Sequence, residues 1–520
     1  MKLIYSLILL LCCLPYIAFA LQSGDFEYEI DEQDMAIITA YTGNATELEI
    51  PRVIEKYQVS SFQFKYDFEY RSQKHLITSI TIPDSITAIN ATTIFGLRNL
   101  VSIKVSADNP NFTSVDGVIF NKNLTKIIAF PPGKGGKYVI PSSVTEIGTS
   151  AFSNSSLSSV ELSNSVTKIE TAAFTNSSIT SIELPSSVTE IGGLAFGMCF
   201  ELASVKLSNA TQKIGAAAFY FCKKLEIIDI PSSITEIGSS AFLRCDLAAI
   251  NVSSDNPNYL SINGVLFNKD QTTLILFPNA QGGEYTIPDT VTKIEDRAFD
   301  SCVKLTSVTI PDTVTHIGDS AFYDCTSLTS ITLSNSLLHI GDGAFSGCEG
   351  LTSIDIPASV TYLGRAFEYC DLLEEINVDK ENPVYSSEDG IVFNKDKSEI
   401  IFFSWQNADE YIIPSSVKVI GKYAFAERDN LQKIILPKGL KEIGDNAFDG
   451  CSKLKEVIIP DGVTIIGDSA FESCTGLTAV TIPNSVTTIG NCAFYWCDSL
   501  DELIVPDSVT SLGADVFSLK

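Results

Sequence analysis

The sequence predicts a β-rich repeat solenoid, a coil of short parallel strands. Three observations predict it. First, a unit marked by Ala-Phe recurs every 22 or 23 residues, with its phenylalanine at Phe152, Phe174, Phe196, Phe219 and Phe242, at Phe299, Phe322, Phe345 and Phe367, and at Phe425, Phe448, Phe471, Phe494 and Phe517. Phe95 marks an earlier, degenerate copy. Second, apolar and polar residues alternate over a short run in each unit, as in a half-buried strand. Third, only 19% of residues are charged, while Ser, Thr, Ile and Val abound, which suits strands and not a disordered chain. Units of this length bury their apolar faces by stacking on one another. Length alone would divide 520 residues into several domains, but a solenoid grows by adding units.

The first 20 residues read as a signal peptide. Lys2 supplies the positive start, Leu3 to Phe19 are apolar apart from Ser6 and Pro15, and Ala18-Phe19-Ala20 is a small-x-small cleavage site. The apolar run is short for a spanning helix. Leu11 stands before Cys12 where a lipoprotein would carry a small residue. The mature chain is therefore expected to begin at Leu21 and to be secreted. No later run is long and apolar enough to span a membrane, and Asp515 to Lys520 carry no tail for a glycolipid anchor.

Residues 21–80 read as a capping segment for the end of the stack. Phe26 to Ile30 alternate like an edge strand, and Ala36 to Tyr41, followed by Thr42-Gly43-Asn44, read as a strand and turn. Residues 81–520 form the solenoid. Ile310 to Leu333 serve as the type unit. Ile331 and Leu333 point inward and Thr332 outward. Proline then ends the strand, as in Ile310-Pro311, Ile356-Pro357 and Ile459-Pro460, because it has no ladder donor. Val314 and Ile317 return inward from a second side. Gly318 has counterparts in most units, among them Gly148, Gly192, Gly341 and Gly467, and is expected to allow a tight turn. Ala321 and Phe322 enter the core, and Cys325 and Leu328 close the unit. Asp319 to Cys325 leave room for little more than a helical turn or a 3₁₀ piece.

Three islands break the rhythm, at about 104–140, 251–287 and 377–413. Each opens with an acid-Asn-Pro (Asp108-Asn109-Pro110, Asp255-Asn256-Pro257, Glu381-Asn382-Pro383). Each then carries Gly-aliphatic-aliphatic-Phe-Asn-Lys, starting at Gly117, Gly264 and Gly390, and an apolar run to Phe130, Phe277 or Phe403. Apolar runs about a polar Asn-Lys turn predict hairpin-like variant coils. A protruding recognition element is the functional alternative.

The unit Leu-x-x-Ile-x-Ile-Pro-x-x-Val-x-x-Ile-Gly-x-x-Ala-Phe-x-x-Cys resembles the BspA-like, or Treponema pallidum-type, class of leucine-rich repeats, over residues 80 to 517. The resemblance implies a right-handed leucine-rich-repeat coil and a secreted or surface-displayed protein. It also implies adhesin-like or surface-antigen function toward a protein ligand or cell-surface component. It carries no general ligand residues.

Net charge is −28, which disfavours nucleic acid as a partner. Eleven cysteines follow the leader, and ten stand three residues after a marker phenylalanine, from Cys199 to Cys497. A small buried thiol suits that slot, and Ser155 and Ser177 occupy it elsewhere. Cys492 lies outside the column and, with Cys497, is the candidate disulfide. No Cys-x-x-Cys or histidine pair accompanies the column, so zinc is not expected. His316 and His339 share a solvated column in adjacent units, and His75 is isolated. Asp319 and Asp342 share another exposed column, with too few ligands for calcium. No nucleophile elbow, phosphate loop or zinc-protease motif occurs, so neither catalysis nor a cofactor is expected.

Eight sequons stand at Asn44, Asn90, Asn111, Asn123, Asn154, Asn176, Asn209 and Asn251. They are candidate glycosylation sites in a eukaryotic secretory pathway, and the triplet also arises by chance in a chain rich in Ser, Thr and Asn. The outward column of the strand face runs through Glu161, Glu183, Lys206, Asp229, Asn251, Thr309, Thr332, Asp355 and Asn377, then Ile435, Ile458, Thr481 and Ile504. An exposed apolar stripe marks a partner or self-association surface, although β-branched residues also suit any strand. Ile435, Ile458 and Ile504 are thus the candidate partner-binding residues. The expected function is non-enzymatic recognition by a surface antigen or adhesin, or by a secreted scaffold or receptor-like protein of the producer's own surface.

Overall fold

The computed structural model describes residues 21–64, 76–89, 91–404 and 408–517. The expected leader, His75 and Asn90 lie outside the described residues. Contacts divide the chain into two compact units. One runs to Asp246 and includes Val252–Asn258; the other comprises Leu247–Asn251 and Tyr259 onward. Both are β-solenoids with almost no helix.

Each regular coil has a strand face, a second side and a turn edge. On the strand face Ser307, Val308 and Thr309 pair in parallel with Ser330, Ile331 and Thr332. On the second side, two-residue strands such as Lys293–Ile294, His316–Ile317 and His339–Ile340 stack in register. The inward residues form the core. In the type unit Val314, Ile317, Ala321, Phe322, Cys325 and Leu328 are all fully buried. The marker phenylalanines stack face to face, with centroids 4.6 Å apart for Phe299–Phe322 and 5.4 Å for Phe322–Phe345. Such pairs add about 0.5–1.5 kcal/mol each beyond burial.

In the regular coils the turn edge is a run of tight turns, whereas in the earlier copy Ala91–Ile94 before Phe95 is a 3₁₀ piece. Ser320, Phe322 and Asp324 donate their N–H groups to Asp342, Ala344 and Ser346 of the next coil, at 2.8, 2.7 and 2.8 Å. Between them Ala321, Tyr323 and Cys325 bond within the coil, to Gly318, Ser320 and Phe322. Alternating between neighbour and own coil satisfies every N–H of the buried turn, as burial demands. Ser320 (φ 54°) and Asp324 (φ 59°) hold the left-handed backbone at its two ends, and nearly every regular coil repeats the pair. These positions are mostly not glycine.

The glycine column has a different cause from the expected tight turn. Gly318 does not lie at positive φ. A Cβ there would sit 2.5 Å from the backbone nitrogen of Asp296 and 2.8 Å from the carbonyl carbon of Glu295. Close approach of stacked backbones excludes a side chain.

Within the span read as a cap, five strands form a sheet in the order Leu21–Ser23, Phe26–Ile30, Ala36–Tyr41, Tyr57–Phe62, Val53–Ile54, while Glu47–Glu49 pairs in parallel with Ser79–Ile82 of the first coils. Phe26–Ile30 is not its edge, because Leu21–Ser23 pairs outside it in antiparallel register. Tyr28, Ile38, Val59 and Phe62 pack with Ile80, Ile82 and Ile103 of the first coils.

Each island is a hairpin that rejoins the second side. Phe112–Val115 pairs antiparallel with Val118–Asn121, which pairs antiparallel with Lys126–Ala129, which then runs parallel to Glu146–Ile147. The first turn is Asp116-Gly117, Asn263-Gly264 or Asp389-Gly390, with both residues at positive φ, the signature of a type I′ hairpin. The Asn-Lys sequence makes the second turn, where the Asn121 carboxamide oxygen accepts the N–H groups of Thr125 and Lys126. The asparagine of the opening triplet is an internal clamp. Asn382 is fully buried, donates to the carbonyls of Pro357 and Val360, and accepts from the N–H groups of Val384 and Tyr385. Phe130 and Phe403 then enter the phenylalanine files, 5.0 Å from Phe152 and 4.7 Å from Phe425. The islands keep the core in step, as variant coils do.

Candidate recognition face

The strand face presents its middle residue outward. Its pairing is in register: Glu183 stands beside Lys206, Thr309 beside Thr332, Asp355 beside Asn377, Ile412 beside Ile435, and Ile458 beside Thr481. Ile435 is 39% exposed and Ile458 62%. Ile504 is 72% exposed but lies outside any strand. Ile412 is 63% exposed and extends the stripe by one coil. Its register could have been counted from Tyr411, the partly buried, inward-packing residue of the third island's last strand.

Between Ile435 and Ile458 the ladder opens. Only Lys433 and Glu456 remain paired there, whereas the next two strands pair over three residues. A groove of about 580 Å³ results, with Ile435, Leu436, Ile458 and Pro460 on its walls and Lys433, Lys455 and Glu456 on its rim. Lys433 also pairs with Glu410 at 2.7 Å, both half-exposed, so this charge row contributes little stability. The site is an apolar stripe with the charged row Glu410, Lys433 and Glu456 on one side and the prolines Pro414, Pro437 and Pro460 on the other, suited to non-covalent contact.

The cysteine column is buried and unbonded. Each thiol is aimed at a backbone carbonyl of an adjacent coil. Cys325 Sγ lies 3.1 Å from the Phe299 oxygen, Cys348 Sγ 3.2 Å from that of Phe322, and Cys474 Sγ 3.2 Å from that of Phe448. Burial pushes the thiol of Cys451 up to about 12 and that of Cys199 to about 11. These are not nucleophiles, since the thiolate is the reactive form. The candidate Cys492–Cys497 bridge is not formed. Cys497 points into the core with Sγ 3.2 Å from the Phe471 oxygen, while Cys492 occupies the left-handed turn position at φ 54° on the surface edge.

The other polar columns also have structural roles. Asp296, Asp319 and Asp342 each accept, through Oδ1, the N–H of the residue one coil on, at 3.0, 2.9 and 3.1 Å. His316 and His339 stand side by side, rings 5.7 Å apart, and His339 stacks on Tyr362 at 4.4 Å. No group of three or more His, Cys, Asp or Glu placed to hold a metal occurs among the described residues. No described helix is long and apolar enough to cross a membrane. Of the sequon asparagines, Asn44, Asn111, Asn123, Asn176, Asn209 and Asn251 are exposed and Asn154 is half-buried. Asn176 donates from Nδ2 to Asn154 Oδ1 at 2.6 Å.

The profile of the BspA type leucine rich repeat region, in six copies, matches residues 65–135, 134–249, 275–388 and 399–520. Among solved structures, a leucine rich cell surface protein from Faecalibacterium prausnitzii is 25% identical, over 89% of this chain and 94% of that one, with a TM-score of 0.43. The pneumococcal vaccine antigen PcpA is 20% identical over 91% and 93%, with a TM-score of 0.44. The Treponema pallidum leucine rich repeat protein is 25% identical over 45% and 87%, with a TM-score of 0.19. No curated protein matches the chain.

Proposed function

The chain belongs to the family of BspA-type leucine-rich-repeat proteins, and from that premise we propose that it is a non-enzymatic recognition protein of a cell surface, secreted behind a cleaved leader. Its strand face binds a protein partner. The observation that carries this reading is the stripe of Ile412, Ile435, Ile458 and Ile504, exposed on a face that is polar in most other coils. Burying such side chains contributes about 25 cal/mol per Å², and contacts spread over several coils add. The exposed sequon asparagines stand ready for sugar in a secretory pathway that attaches it.

The test replaces Ile435, Ile458 and Ile504 together by threonine, which keeps β-branching. Adhesion to cells and matrix is measured beside sedimentation. Loss of adhesion with an unchanged fold supports the reading, and concentration-dependent association abolished by the same changes would identify a second copy as the partner. Adhesion and association both unchanged would sink it. Amino-terminal sequencing of the secreted protein tests cleavage before Leu21.

A further inference from the structure

The second unit holds another concavity, at its turn edge beside the third island. A regular coil uses twelve residues (341–352) between His339–Ile340 and the next strand-face strand, Ser353–Ile356. The island uses seven (403–409) between Glu399–Phe402 and Glu410–Ile412. The shorter path fills the core with Phe403, whose N–H reaches the Ala424 oxygen at 3.0 Å. The flanking turn edges are left apart: the N–H groups of Phe367 and Tyr369 make no coil-to-coil bond among the described residues. A cleft of about 540 Å³ opens between them, within the roughly 300–1,000 Å³ of small-ligand sites.

Arg428 lies in this cleft. It occupies the slot that holds cysteine in ten other coils, three residues after the marker Phe425. Its Nε donates to the Phe403 oxygen at 2.8 Å, as the thiols do to theirs, and its guanidinium carbon sits 5.2 Å from the Phe402 ring centre. The side chain is only 3% exposed. The residue lines the cleft, and the carboxylates of Asp371 and Glu368 act on its charge. Glu427 and Asp449 line the same cleft and are in no ion pair among the described residues. Burial lifts both above the usual carboxylate range, Asp449 to about 6. Tyr369, half-exposed, adds an aromatic face.

We propose that this cleft binds a neutral oligosaccharide. A bare anion would meet the carboxylates, and a bare cation would meet Arg428 and Arg365. A polyhydroxylated, uncharged ligand supplies acceptors to Arg428 and donors to Glu427 and Asp449, and lays its C–H face on Tyr369. No charge is then buried without a partner. This inference is independent of the strand-face reading.

The test applies the chain from Leu21 to an array of neutral, acidic and basic oligosaccharides, with arginine- and lysine-rich peptides printed beside them. At least one neutral oligosaccharide is expected to bind. Arg428→Cys restores the residue of the other coils, so it should fold, and it should weaken binding by about ten-fold or more, as should Glu427→Gln. Equal urea midpoints confirm that folding is intact, and Ile458→Thr should leave this binding unchanged. Absence of any neutral ligand overturns the proposal. So does undiminished binding by both Arg428→Cys and Glu427→Gln, or binding confined to the basic peptides.

Discussion

Replacing Gly318 by alanine would place a methyl group 2.5 Å from the nitrogen of Asp296 and 2.8 Å from the carbonyl carbon of Glu295. Backbone atoms on both coils must move by several tenths of an ångström. Overpacking of this kind costs about 1–3 kcal/mol. The shift also stretches two coil-to-coil bonds, from the Gly318 N–H to the Ile294 oxygen and from the Asp319 N–H to Asp296 Oδ1, both 3.0 Å, at about 1 kcal/mol each. Alanine stiffens the unfolded chain, which offsets about 0.5–1 kcal/mol. The net expectation is a loss of about 2–4 kcal/mol on these terms. Ser320→Gly is the matched control. It relieves a left-handed backbone at φ 54°, worth about 1–2 kcal/mol, and gives back about 0.5–1 kcal/mol in unfolded-state freedom, so its net effect is small. Urea unfolding of both variants, with amide exchange at residues 318 and 319, reads the difference. If Gly318→Ala leaves the midpoint unchanged while Ser320→Gly shifts it, the close-approach argument is wrong and the glycine serves the turn.

Two further measurements probe the same architecture. A thiol reagent should react with Cys492 in the folded chain from Leu21 and reach the ten column cysteines only on denaturation, because those ten are buried and enclosed by the stacked coils; fast native reaction of more than one thiol would contradict this. Asp449→Asn should stabilise the protein at pH 7 and do little at pH 4. The folded pKa of Asp449 is raised from 3.8 to about 6, first by burial and then by Glu472 and Glu427. The native state therefore binds this proton more tightly than the unfolded chain does, and stability falls as pH rises from about 4 through about 6. The full shift corresponds to about 3 kcal/mol, reduced to about 1 kcal/mol because solvent screens a half-exposed group. A gain of the same size at both pH values would refute the assignment.

Much of the fold was legible because repetition repeats its reasons. Phe322, Val314, Ile317 and Cys325 could be placed in the core, since a residue kept in step over many coils faces the same neighbours in each. The islands read as hairpins because their apolar runs fold back, although the first turn lay one motif earlier, at Asp389-Gly390, than the Asn-Lys that drew attention. The site was less legible. Ile435 and Ile458 followed from alternation, but Ile412 sits in the island, where a count by marker phenylalanine skips a strand. Arg428 carried a readable signal, a break in the cysteine column, and that signal gains meaning only beside the cleft. The Cys492–Cys497 pairing failed because sequence proximity says nothing of side-chain direction, and one of the two points into the stack.

The sequence by itself determined the period, the inward and outward faces and the family, since all three depend on which residue types recur at which spacing. The tertiary structure alone decided what lies between coils. The distance from Gly318 to Asp296, the carbonyl that receives each thiol, the ladder that opens between Ile435 and Ile458, and the cleft beside Arg428 join residues about 23 or more apart. Those relations depend on how closely one backbone lies upon the next. No pattern along the chain encodes that separation.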